Sequence, residues 1–100
     1  MTVCWYVEFD SPGPFGAEAT EKYAALAADI ATEAGLISKT WIEAPERGRS
    51  GGVYLFATAA DAQRYAAKHT ARLGGFGITG ITATLWGVNE DLSRAATPQG

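Results

Sequence analysis

Apolar residues recur along the chain at two spacings, one typical of strands and one typical of helices. Residues 3–9 and 53–57 are nearly continuous apolar runs rich in β-branched and aromatic side chains, as in strands buried on both faces. Residues 36–43 and 78–88 mix apolar and polar side chains and are also predicted to be strands. Residues 44–50, which contain Pro and Gly, are predicted to form a loop.

Two further segments show the three- and four-residue spacing of amphipathic helices. Residues 17–34 are rich in Ala and Glu, and Gly35 follows them as expected at a helix C-terminus. In the second segment Thr58 is the predicted N-cap, and Gly74 and Gly75 are predicted to end the helix. Five residues of this helix share the face that must pack on the sheet: Ala62, Tyr65, Ala66, His69 and Leu73. The only histidine of the chain is therefore predicted to point inward.

The predicted order of elements is β-α-β-β-α-β, the split βαβ or ferredoxin-like arrangement of the α+β class. Right-handed crossovers then place both helices on one face of a four-stranded antiparallel sheet. The other face also carries apolar residues, so we expect two copies of the chain to pack sheet against sheet as a homodimer. Residues 1–100 are expected to form one domain, with a tail from about residue 91.

Charge and hydropathy exclude several kinds of partner. The net charge is -3 and Lys and Arg are not clustered, so nucleic acid is not expected to bind. No apolar run approaches the roughly 20 residues that cross a bilayer, and the first residues lack the pattern of a signal peptide. We therefore expect a cytoplasmic protein without a membrane partner.

The sequence has few residues that could bind a metal ion or a nucleotide. It has one histidine and one cysteine, Cys4, which lie far apart, and it has no paired carboxylates at ligand spacing. Residues 74–77 are rich in glycine but lack the lysine and the following helix of a phosphate-binding loop. We therefore expect neither a metal nor another cofactor.

Five short stretches, in the same order along nearly the whole chain, carry a family likeness. They are Gly13-Pro14-Phe15-Gly16, Lys39-Thr40-Trp41, Gly51-Gly52 before Tyr54-Leu55-Phe56, His69 with Ala71-Arg72-Leu73, and Val88-Asn89-Glu90 before Leu92-Ser93. Together they resemble the YdhR family of monooxygenases, within the dimeric α/β-barrel superfamily. The resemblance implies a pocket inside each subunit, between the sheet and the helices, where helix phase also places His69.

The resemblance also implies a reaction: oxygenation of a hydrophobic aromatic molecule such as a phenol, quinol or anthrone by dioxygen, without a cofactor. This chemistry needs a base, a dry pocket and a group that holds the substrate oxyanion. His69 is the candidate base because its unperturbed pKa, about 6.5, is close to neutral pH. Tyr54 is the second candidate catalytic residue, as a hydrogen-bond donor to the oxyanion. The candidate substrate-binding residues are Trp41, Tyr65, Phe56, Lys39 and Arg72.

Three other interpretations of these residues remain open, because one fold supports unrelated activities. In the first, the protein binds a hydrophobic small molecule without turnover. In the second, it binds haem with His69 as an axial ligand. In the third, His69 is a core residue bonded to a backbone carbonyl. The sequence does not decide which strand aromatics face the pocket and which face a dimer interface.

Overall fold

The computed structural model describes residues 1–98. Its helices and strands, in chain order, are β1 (Val3–Asp10), α1 (Gly16–Lys22), α2 (Ala24–Ile30), β2 (Leu36–Ala44), β3 (Arg49–Phe56), α3 (Ala59–Gly75), β4 (Thr82–Gly87) and α4 (Glu90–Ala95). A single 3-10 turn, Pro45–Arg47, joins β2 to β3. No helix within the described residues has both the length and the apolar character needed to cross a membrane.

The strands form one antiparallel sheet in the order β2-β3-β1-β4. This confirms the predicted ferredoxin-like fold of the α+β class. On the face covered by the helices, Trp5, Tyr54 and Lys39 form one row across β1, β3 and β2. Trp5 is 2% exposed and Tyr54 is fully buried, so the core lies between this row and α3.

The segment predicted as one helix, residues 17–34, is two shorter helices. They meet at Tyr23, whose φ of -102° and ψ of 11° depart from helical values. The bend lets the Tyr23 ring stack on Trp41 of β2, with the ring centroids 6.2 Å apart. Helix α2 ends at Ile30 because the next amides turn more tightly, the N–H of Thr32 donating to the carbonyl of Asp29.

An irregularity near the start of β2 changes the predicted alternation of its side chains. Leu36 pairs with Phe56 and Lys39 pairs with Tyr54. Leu36 and Lys39 are three positions apart in β2, whereas Phe56 and Tyr54 are only two positions apart in β3. A bulge of this kind reverses the faces of the residues before it. Leu36 therefore shares the helix-side face with Lys39. Ile37, which would share that face in a strand without a bulge, is 57% exposed.

The remaining boundaries differ at the ends of the strands and at the C-terminus. Strand β3 starts at Arg49, four residues before the predicted strand, since Arg49 to Gly52 already pair with β1. Strand β4 is shorter than predicted. Residues 90–95 are not a tail but form α4, whose N-cap Asn89 accepts a hydrogen bond from the N–H of Leu92. The end of the predicted tail, residues 99–100, lies outside the described residues.

Helix α3 has the predicted cap and the predicted inward face. The N–H of Asp61 donates to Thr58 Oγ1 at 3.1 Å, which satisfies one free amide of the first turn. Four side chains of α3 are buried against the sheet: Ala62, Tyr65, His69 and Leu73. The periodicity therefore predicted correctly that the single histidine faces the interior.

The opposite face of the sheet, which we call the open face, has no helix over it within residues 1–98. By strand alternation it carries the apolar side chains Cys4, Tyr6, Ile42, Val53, Leu55 and Trp86. Most are half-buried by their neighbours, but Trp86 is 62% exposed. The sheet therefore has apolar residues on both faces, as predicted.

Candidate active site

A cavity of about 660 Å³ lies between the helix-side face of the sheet and the helices. Tyr54, His69 and Lys39 line it, and Tyr54 and His69 are almost completely buried. We call the part of the cavity that these three residues line its inner end. Exposed residues such as Lys22 and Glu43 line its mouth. The volume lies within the 300–1,000 Å³ range, roughly, of pockets that hold small organic ligands.

Four of the residues predicted to form the site line this cavity: His69, Tyr54, Trp41 and Lys39. They come from β2, β3 and α3, and the fold brings them together. Trp41 is 44% exposed and, stacked with Tyr23, forms a wall nearer the mouth. This wall is aromatic on both β2 and the helix side.

The other three predicted substrate-binding residues, Phe56, Tyr65 and Arg72, do not line the cavity. The cavity follows β3 from Ser50 only as far as Tyr54, and Phe56 lies beyond that point in the core, 5.5 Å from the Tyr65 ring. Tyr65 stacks behind His69 with the ring centroids 5.2 Å apart. These three side chains lie behind the residues that face the cavity and support them, and the expectation that they contact a substrate stays a prediction.

Gly52 in β3 makes room for the inner end, and Gly51 before it lets β1 approach closely. A Cβ on Gly52 would lie 2.9 Å from both Lys39 Cε and Tyr54 Cε1. The lysine side chain can therefore cross β3 at this point only because Gly52 has no side chain. A Cβ on Gly51 would lie 2.1 Å from the carbonyl oxygen of Val7 on β1. Glycines inside a strand mark a close approach of this kind. The two glycines are visible in the sequence, but they did not identify Lys39 as the residue whose side chain approaches Gly52.

Arg72 fixes the orientation and the tautomer of His69. Its Nε and Nη2 lie 3.2 and 3.0 Å from His69 Nδ1, and its Nη1 is held by Asp29 Oδ2 of α2 at 3.1 Å. A guanidinium only donates hydrogen bonds, so Nδ1 must be an acceptor without a proton. The neutral ring therefore carries its hydrogen on Nε2.

The electrostatic surroundings keep His69 neutral. Burial lowers its pKa to about 3, and the positive charges of Lys39 and Arg72 act in the same direction. To take up a proton on Nδ1, the ring would have to give up its hydrogen bonds to Arg72. The predicted role of general base does not fit this arrangement, whereas a neutral imidazole can donate from Nε2.

A chain of hydrogen bonds likewise directs the hydroxyl of Tyr54. Arg72 Nη2 donates to Tyr65 Oη at 3.3 Å, and the Tyr65 hydroxyl donates to Tyr54 Oη, also at 3.3 Å. The proton of Tyr54 is then left for a group in the cavity. Burial, followed by the hydrogen bond to Tyr65, raises the pKa of Tyr54 far above its usual value, so it is a neutral donor.

Lys39 is the one ammonium-bearing side chain at the inner end. Its Nζ lies 3.4 Å from the centroid of the Trp41 ring and 4.6 Å from that of Tyr54. Burial and the charge of Arg72 lower its pKa to about 7. The two ring faces attract the ammonium and act against this shift. Lys39 therefore exchanges between amine and ammonium close to neutral pH.

Residues 1–98 offer few groups for metal binding, thiol catalysis or haem ligation. No cluster of three or more His, Cys, Asp or Glu residues among residues 1–98 is arranged to hold a metal ion. Burial raises the pKa of the Cys4 thiol on the open face, which makes it a poor nucleophile. For a haem iron, His69 would offer only Nε2, because Nδ1 accepts from Arg72.

The sequence matches the family described as "Putative mono-oxygenase ydhR" over residues 4–98. The chain belongs to this family. The match confirms the resemblance found in the sequence and supports the prediction that this YdhR-family protein is an enzyme of the mono-oxygenase type. A comparison with curated proteins gave no match.

Two solved structures share the fold of this YdhR-family chain. One is an asparagine-to-alanine mutant of SnoaB, a cofactor-independent oxygenase from Streptomyces nogalater, with 16% identity and a TM-score of 0.62 over 88% of this chain and 93% of that one. The other is a putative antibiotic biosynthesis monooxygenase from Deinococcus radiodurans, with 14% identity and a TM-score of 0.59 over 100% of both chains. At these identities the likeness concerns the fold alone.

Proposed function

We propose that this protein is a cofactor-independent monooxygenase that oxidises a hydroxylated aromatic molecule, of the phenol, quinol or anthrone type, with dioxygen. The observation that carries the proposal is the inner end of the cavity, where two neutral donors and one lysine meet among aromatic rings. An apolar pocket with a few convergent polar groups is the usual form of a site for such a substrate. The name of the SnoaB neighbour points in the same direction.

The electrostatics of the inner end favour an anionic form of the substrate. The Nε2–H of His69 and the hydroxyl of Tyr54 are free to donate to an oxyanion. The guanidinium of Arg72 lies directly behind His69 and is linked to Tyr54 through the hydroxyl of Tyr65. Donors that are already oriented stabilise developing charge without further reorganisation. A deprotonated phenol or enol is the form that can give an electron to dioxygen.

The balanced reaction needs no external reductant. For an anthrone, the substrate methylene becomes a carbonyl, one oxygen atom of dioxygen enters the product, and the other leaves as water. All the electrons that reduce dioxygen come from the substrate. The protein has to bind the aromatic rings, exclude water, accept a proton and hold the oxyanion.

Oxygen consumption on a panel of anthrones, quinols and flavonoids tests the proposal. We expect uptake above the uncatalysed rate, and a decrease in kcat of about 100-fold in His69→Ala and in Tyr54→Phe, because each removes one donor. Thr70→Ala, an exposed change beside His69 on α3, is the matched control and should keep the wild-type rate.

Two outcomes would contradict this function. Compounds that bind without any protein-dependent uptake would make the protein a binding protein for hydrophobic molecules. A Soret band that appears on titration with haemin and is lost in His69→Ala would make it a haem-binding protein. Loss of uptake in Thr70→Ala as well would show that the variants report on folding and not on the site.

The open face supports a second proposal, that two copies of the chain associate through this face. Trp86, 62% exposed within an apolar surface, would be covered by the second copy. We expect the wild type to elute as a dimer at micromolar concentration and Trp86→Glu to elute as a monomer. Ala67→Glu places the same charge on the exposed side of α3 and should stay dimeric. A folded wild-type monomer would refute the proposal.

A further inference from the structure

We propose that Lys39 is the group that takes the proton from the substrate, a role that the sequence suggested for His69. This inference rests on the proposed function. Both ring nitrogens of His69 are already committed, Nδ1 to the hydrogen bonds from Arg72 and Nε2 to the ring hydrogen. Tyr54 is a neutral donor. Among the residues that form the inner end, Lys39 alone can accept a proton.

The position of Lys39 suits this role. It faces the helices on β2, directly opposite Tyr54, and its side chain crosses β3 over Gly52 into the cavity. Its Nζ lies against the rings of Trp41 and Tyr54, at 3.4 and 4.6 Å from their centroids. No carboxylate oxygen within residues 1–98 lies within 4.0 Å of this nitrogen. The amine is therefore not held as an ammonium by an ion pair.

The carboxylates on the surrounding elements are engaged elsewhere. Glu43, on β2, accepts from the backbone N–H of Gly16 at 2.8 Å. Asp10, on β1, pairs with Arg49 at 2.8 Å. Asp29, on α2, pairs with Arg72 at 3.1 Å. None of these three carboxylates forms an ion pair with Lys39.

The positive groups around the cavity act in the opposite sense. Arg72 faces Lys39 from α3, beside the neutral ring of His69, and Lys22 lies at the mouth on α1. Burial and the charge of Arg72 lower the pKa of Lys39 to about 7. A substantial share of the side chain is then neutral amine at neutral pH, as a general base requires.

The proton transfer balances without another reactant. The O–H bond of a phenol or quinol, or a C–H bond of the anthrone methylene, breaks, and an N–H bond forms on Lys39 Nζ. The electron pair stays on the substrate, whose oxyanion accepts hydrogen bonds from His69 and Tyr54. The new ammonium lies beside this anion and stabilises it until dioxygen reacts.

Proton transfer can be measured without oxygen. Under argon, the protein is mixed with anthrone in heavy water, and NMR follows the entry of deuterium into the anthrone methylene as the pH is varied. We expect the wild-type rate to rise with a midpoint near the pKa of Lys39, about 7. In Lys39→Ala the rate should fall by at least about 100-fold and the midpoint should disappear.

Three variants separate a base from a merely charged or structural residue. Lys39→Arg keeps the charge but cannot lose its proton, so it should be as inactive as Lys39→Ala. Added ethylamine should restore part of the exchange in Lys39→Ala and none in Lys39→Arg. His69→Gln should lower the rate but keep the midpoint. Lys68→Met, which removes an exposed lysine of α3, is the control and should exchange like the wild type.

Several outcomes would overturn the assignment. They are wild-type exchange in Lys39→Ala, full exchange in Lys39→Arg, a midpoint lost in His69→Gln, or no protein-dependent exchange in the wild type. Exchange that depends on Lys39 but is not followed by oxygen uptake in air would leave the base assigned and refute the oxygenase function. NMR titration of the lysine Cε signals gives an independent readout: the signal absent from Lys39→Ala should titrate near neutral pH.

Discussion

Replacement of His69 by glutamine should remove a pH dependence of stability that the wild-type protein shows below neutral pH. In the unfolded chain, histidine takes up a proton with a pKa of about 6.5. In the folded protein, burial and the charges of Lys39 and Arg72 lower the pKa of His69 to about 3. Between these values the unfolded state binds more protons, so the free energy of unfolding decreases as the pH falls.

The size of the effect follows from the gap between the two pKa values. Above about pH 6.5 both states are neutral at this position and His69 contributes no pH dependence. At about pH 5 the unfolded histidine is protonated and the folded one is not, which removes about 2 kcal/mol from the free energy of unfolding. The loss continues until the pH reaches the folded value, near 3.

Urea unfolding at about pH 8 and about pH 5 measures this difference. The wild type should lose about 2 kcal/mol more than His69→Gln between the two conditions. Glutamine does not titrate, and its amide oxygen can still accept from Arg72, so the comparison isolates the ionisation. Equal losses in the two proteins would refute the neutral state of His69.

The same protein allows a direct check, because its sequence contains a single histidine. Its ring ¹⁵N signals should show no protonation of the ring between about pH 8 and pH 5, whereas an unperturbed histidine would be protonated there with a midpoint of about 6.5. The ring ¹⁵N shifts should identify the Nε2–H tautomer. A midpoint near the unperturbed value would contradict the assigned role of His69 and one of the reasons for choosing Lys39 as the base.

Two glycine variants test the packing around the cavity. Gly52→Ala should lower the free energy of unfolding by about 1–3 kcal/mol and weaken ligand binding, because its Cβ would meet Lys39 and the buried ring of Tyr54. Gly74→Ala should raise the free energy of unfolding by up to about 1 kcal/mol, since it lies in the last turn of α3 with nothing within 4 Å of the added carbon. Equal effects in urea unfolding would contradict the close approach at Gly52.

The sequence by itself determined the architecture and the helix face that His69 contributes to the site. Period-two and period-3.6 patterns record which face of each strand and helix is buried, and they are local properties of the chain. The inward position of His69 and the cap at Thr58 follow from such patterns. The break at Tyr23 and the bulge before Lys39 do not, because they depend on the Trp41 ring and on pairing with β3.

Only the tertiary structure decided how the candidate site divides its chemical roles. Whether His69 or Lys39 can accept a proton depends on burial and on charges that come from different elements, Lys39 from β2 and Arg72 from α3. Sequence spacing gives the phase of Arg72 relative to His69 but not the hydrogen bonds that fix the histidine tautomer. Ionisation is a property of the assembled environment, since desolvation and Coulomb interactions act through space and not along the chain.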